Sequence, residues 1–220
     1  MKQQDETSTH FPKPWETILL IVTSFFFTTF LLSSIAGLMN PKIIDDPKIL
    51  LSYRWFIVIS NVLFLLIPLF YYYYKNYPMK KLLLIHPLPE GKIIWIVIFS
   101  IGVLPLIDEL DRIFKLMITF ENVENSYRDM FQVRSFWDFI MVFGTLSILS
   151  PILQEINFRG ALLQSVQEKT GIVNAIIFSS LFWVFIYLEM NSIVQIFILG
   201  LVLGLVTIQL KSIIPAIILH

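Results

Sequence analysis

Six runs of apolar residues, each near the length of a bilayer-crossing helix, account for most of this 220-residue chain. A span needs about 20 predominantly apolar residues to cross a hydrocarbon core roughly 30 Å thick. The runs fall at 15–39, 53–74, 93–107, 136–153, 172–188 and 193–208, and a last one, 212–220, is half a span. A shorter apolar stretch, 159–166, continues the helix before it or lies at the interface. The expected fold is therefore all-α: one integral membrane domain over 1–220, a polytopic transmembrane bundle of about six to eight membrane helices.

Composition agrees and removes other classes. Hydrophobic residues make up 56% and charged residues only 15%, where a soluble domain carries about 25% charged. Sixteen basic residues balance sixteen acidic ones, which offers no electrostatic footprint for nucleic acid. There is no cysteine, so disulfides, thiolate metal sites and a cysteine nucleophile are excluded. His10, His86 and His220 supply the only imidazoles.

The first run is too long, and its flank too mixed in charge, for a cleaved signal peptide. A compact basic group at Lys75, Lys80, Lys81 and Lys92 places that connection, and with it the N-terminus, on the cytoplasmic side of a cell membrane. Segment 108–134 is the main extramembrane piece expected, with Ile113, Phe114, Leu116, Met117 and Phe120 set among charges as in an interfacial amphipathic helix. It reads as a solvated connection, or as a lid or docking surface. Tyr71 to Tyr74, just before Lys75, form an interfacial aromatic belt.

No phosphate loop, paired histidine motif of the HExxH kind or nucleophile elbow occurs, and no internal repeat. Any chemistry must come from ionisable residues within the spans, which are costly in lipid and functional candidates by default. The richest cluster is Gln154-Glu155-Ile156-Asn157-Phe158-Arg159-Gly160. Glu155 and Arg159 stand four apart with the acid first, the better orientation for a helical pair. On that pattern alone, the cluster is a structural ion pair anchoring a helix end. Further on, Trp183 and Tyr187 lie on an apolar run beside Ser179 and Ser180, and Gly200 and Gly204 form a small-xxx-small face for close packing. Pro215 then opens a short helix that carries His220 toward mid-membrane.

In this order and spacing the four pieces resemble the CAAX prenyl protease type 2 and lysostaphin-resistance-protein-A-like family, also called the bacterial Abi or CPBP family. The likeness covers 136–220. The family pattern is Glu-Glu-x-x-Phe-Arg-Gly, then Phe-x-x-x-His, a Gly-x-x-x-Gly-like helix, and a Pro-led helix reaching His-x-x-x-Asn. The resemblance implies intramembrane metalloproteolysis: a glutamate activates water while histidines fix a metal or the oxyanion. Its bacterial uses are prenyl-type or leader-peptide proteolysis, bacteriocin self-immunity and scaffolding of cell-envelope enzymes.

Matched position by position, the catalytic residues are mostly lost. Gln154 stands at the first glutamate and Tyr187 at the first histidine, while Glu155, Arg159 and His220 are kept. Glutamine cannot take a proton, and tyrosine is a poor zinc ligand beside imidazole. The expectation is a bacterial cell-membrane pseudoprotease with a vestigial site at Glu155, Arg159 and His220 and no bound cofactor. It would act by binding a membrane or cell-envelope partner, or in bacteriocin immunity. The alternative is a divergent zinc endopeptidase using Glu155, Tyr187 and His220, with Glu189 a remote substitute ligand. A small transporter fits less well, because no inverted repeat or paired broken helix is visible.

Overall fold

The computed structural model describes residues 11–40, 54–117, 133, 135–187 and 192–220. Helix α1 spans Pro14–Met39, α2 Arg54–Tyr74, α3 Met79–Leu82 and α4 Glu90–Met117. The long α5 runs over Phe136–Thr170, followed by α6 at Ile172–Tyr187, α7 at Ile193–Leu210 and α8 at Ile214–Leu219. No strand occurs among the described residues. Helices α1, α4, α5 and α7 are long and apolar enough to cross a membrane, and 58–74 and α6 are shorter apolar helices. The chain is a helical membrane bundle.

The ends of the helices follow local chemistry. Ser135 caps α5, its hydroxyl accepting from the Asp138 amide at 3.1 Å. Gly171, at φ 86°, closes α5 and opens α6, a backbone turn that glycine adopts without a side-chain penalty. Lys211, left-handed at φ 50°, ends α7, and Pro215 stands at the start of α8, where a missing amide costs nothing.

Several hydroxyls inside the spans bond to carbonyls of their own helix, which satisfies them where water is absent. Thr28 Oγ1 donates to the Ser24 carbonyl at 2.8 Å, Ser100 to Ile96 at 2.8 Å and Thr207 to Leu203 at 2.8 Å. The buried residues of α1 are Thr17, Ile21, Ser24, Thr28, Leu32 and Ala36, one stripe at three- and four-residue spacing. That stripe packs against α2 and the middle of α5. The opposite faces are apolar and exposed: Phe30 on α1 and Trp95 and Ile101 on α4 are each more than 70% accessible. Such faces are the bundle's contact with lipid.

Of two expectations about the spans, one is met and one is not. The 159–166 stretch continues the fourth span rather than lying apart at the interface. That span runs unbroken to Thr170 through two π-helical stretches, Gly144–Leu149 and Ile156–Leu162. The third span, by contrast, runs past 107, so the charged residues from Asp108 to Lys115 ride the last turns of α4. The rest of the expected interfacial segment, 118–132 and 134, lies outside the described residues, as does Glu189.

Helices α6 and α7 make the closest pairing. A Cβ added at Gly200 would lie 2.9 Å from Ser180 Cβ, and one at Gly204 would lie 3.0 Å from Ile176 Cγ2. Both positions therefore hold glycine because the neighbouring helix leaves no room, the packing that the small-xxx-small pattern predicts.

Candidate functional site

The site is built around the second π-helical stretch of α5. A π-turn widens the helix by one residue and re-aims the side chains beside it, and such turns recur at functional positions. Here it carries Asn157, Phe158, Arg159 and Gly160 inward, with Glu155 at its start, all buried. Gly160 is needed for a second close approach: its Cβ would lie 3.3 Å from Leu83 Cα.

Glu155 and Arg159 are both fully buried. Arg159 Nη1 donates to Glu155 Oε1 at 2.9 Å, and Nη2 lies 3.5 Å from the Gly200 carbonyl. Helix α8 brings His220 to the same oxygen, with Nδ1 3.0 Å from Glu155 Oε1. The sequence placed these three residues together by motif, and the fold joins them through a single carboxylate oxygen. Glu155 Oε2 and Arg159 Nε are buried with no hydrogen-bond partner among the described residues.

Gln154 lies next to this triad and is spoken for on both sides. Its Oε1 accepts from Trp183 Nε1 at 3.1 Å, and its Nε2 donates to Ser150 Oγ at 3.2 Å. Ser150 Oγ continues the chain to Asn61 Oδ1 on α2 at 3.3 Å. An amide can do both at once because it is donor and acceptor together, whereas an ionised carboxylate only accepts.

Trp183 is the hub that the sequence did not single out as a site residue. Its ring lies under the Arg159 guanidinium, 4.4 Å from centroid to Cζ. It meets the His220 ring edge-on at 5.2 Å between centroids. A buried cation over an indole face is a favourable arrangement. The spacing that puts Trp183 four residues before Tyr187, on the face toward α5, was the one available signal.

Tyr187 does not join the polar group. Its ring packs against Phe25, Phe158 and Trp183 at centroid distances of 6.3, 6.5 and 6.5 Å. Among the described residues, no group of three or more histidine, aspartate or glutamate side chains converges as a metal site would require.

The described bundle thus carries a buried glutamate–arginine pair at a π-turn of α5, met by the histidine that follows α8. Residues 136–220 match the family model of the Type II CAAX prenyl endopeptidase Rce1-like group. That range coincides with the segment carrying the four motifs. No curated protein and no solved structure matches the chain.

Proposed function

We propose that this protein is a pseudoprotease: a CAAX-protease-like bundle of a bacterial cytoplasmic membrane that binds a membrane or cell-envelope partner rather than cutting peptide bonds. The N-terminus lies inside, as the lysine distribution favours. The observation that carries the proposal is the double occupation of Gln154 by Trp183 and Ser150. The position where the family keeps a water-activating glutamate holds a neutral amide locked in a hydrogen-bonded chain. Water attack on a peptide carbonyl needs a proton acceptor within reach of that water.

The remaining carboxylate is a poor substitute. Glu155 Oε1 already faces the Arg159 guanidinium and His220. A divalent cation at that oxygen would meet the arginine charge at contact distance, and Tyr187 packs as an aromatic with no second imidazole in its place. The donor set therefore does not suit zinc, which in catalytic sites takes three protein ligands. Elemental analysis of detergent-purified protein is expected to find far less than one zinc per chain. Near-stoichiometric zinc would overturn this part of the reading and favour the divergent endopeptidase.

The retained parts are those a binding scaffold needs: the buried ion pair, the glycine contacts of α7 and the Gly160–Leu83 approach. The partner role, in envelope-enzyme scaffolding or in bacteriocin immunity, is tested by affinity purification from native membranes in mild detergent. A membrane protein recovered at constant ratio is the expected result. Repeated recovery of the chain alone would contradict it.

A further inference from the structure

Beyond the site, one end of the bundle gathers exposed lysines and tyrosines. The connection between α2 and α4 places Lys75, Lys80, Lys81 and Lys92 there, all exposed. Lys211, at the end of α7, joins them, because the next residue, Ser212, donates through Oγ to the His86 carbonyl at 2.7 Å. The acidic residues of the same connection come down to Glu90. Tyr73 and Tyr74 flank the lysines and are more than 70% exposed, and Lys75 Nζ stands 5.9 Å over the Tyr71 ring.

This connection is held rigidly. Leu82 and Leu83 are buried, Leu83 lies against Gly160, and the Ile213 amide donates to the Leu84 carbonyl at 3.2 Å. Tyr77 ties it to α1, its hydroxyl donating to Glu16 Oε2 at 3.0 Å. Burial, reinforced by that hydrogen bond, pushes the Tyr77 phenol up to about 12, so it remains the donor at physiological pH. Asn76 and Leu84, both at positive φ, bracket the short helix α3 that carries Lys80 and Lys81.

We infer that this end of the molecule is a preorganised binding surface for the phosphate-bearing headgroups of anionic lipids in the adjoining leaflet. Tyrosines at headgroup depth set the level of the surface, and the lysines above them supply the charge. A scaffold already fixed in position spends less ordering entropy on binding than a loose polybasic tail does. The surface leans directly on the Arg159–Gly160 turn, so a bound lipid would brace the helix that carries the buried ion pair.

The test is reconstitution of the full chain into nanodiscs of phosphatidylcholine doped with phosphatidylglycerol, with retained lipid counted by native mass spectrometry. Retention of phosphatidylglycerol is expected to fall about fivefold for each lysine neutralised in Lys80→Gln and Lys80→Gln/Lys81→Gln. It should be preserved in Lys80→Arg/Lys81→Arg. Thermal stability in detergent should rise on adding short-chain phosphatidylglycerol and not on adding the same charge of inorganic phosphate. Equal retention of both lipids by the unaltered protein, or an equal response to inorganic phosphate, would overturn the inference.

Discussion

The last turns of α4 and the middle of α5 each carry an arginine one helical turn after a glutamate, Glu109–Arg112 and Glu155–Arg159. In the first pair the side chains are 51% and 70% exposed, and in the second both are fully buried. The α4 pair lies beside a docking function performed by its neighbours: Asp111 accepts from the Gln195 amide at 3.3 Å at the start of α7 and from Lys115 at 2.6 Å. The α5 pair instead recruits an indole, an imidazole and a backbone carbonyl from three other helices. The same two residue types thus serve as a solvated ornament in one place and as an organising centre in the other. What differs is the cost of leaving either partner alone.

That cost sets the largest expected effect. Arg159→Ala leaves Glu155 buried without its guanidinium partner, with His220 alone beside it, a loss of about 3–5 kcal/mol, read as a fall in melting temperature in detergent. Arg112→Ala, the matched change on α4, is expected to cost about 0–1 kcal/mol. Similar losses for the two variants would break the comparison. Next comes packing around the buried centre: Gly200→Ala forces a methyl onto Ser180 and should cost about 1–3 kcal/mol. Gly102→Ala, with nothing among the described residues within 4 Å of the added methyl, should be neutral or slightly stabilising by the same melting assay. A loss smaller than that of Gly200→Ala belongs to the α4 end, where Asp111→Ala removes a cap from α7. It should cost about 0.5–2 kcal/mol, seen as faster amide exchange over the first turn of α7 with the rest of the bundle unchanged.

The apolar runs made the bundle legible before any coordinates, because length and hydropathy alone fix which segments can cross lipid. Gly200 and Gly204 were legible for a similar reason: a four-residue repeat of small side chains has one main use between packed helices. The motif order around Glu155, Arg159 and His220 foretold which residues meet. Three things stayed hidden. The two π-helical stretches within α5, as distinct from its continuation past 153, leave no periodic mark in the sequence. The Gln154–Trp183 hydrogen bond joins residues 29 apart whose side chains meet only once α5 and α6 are packed. Asp111 acts on another helix, and a cap supplied from elsewhere in the chain has no local sequence signature. Trp183, matched only to the aromatic of the Phe-x-x-x-His position, was the costliest of these to miss, since it touches Gln154, Arg159 and His220 together.

The central claim is that the chemistry is gone while the scaffold stands, and peptide cleavage tests it most directly. The purified, unaltered chain would be incubated in detergent with a prenylated CAAX peptide and a panel of unmodified membrane peptides. Gln154→Glu/Tyr187→His and Glu155→Gln would be run beside it. No cleavage by the unaltered chain above the level of the Glu155→Gln variant is the predicted result, whether or not the restored variant gains activity. Cleavage by the unaltered chain that disappears in Glu155→Gln would contradict the account and make this a working protease.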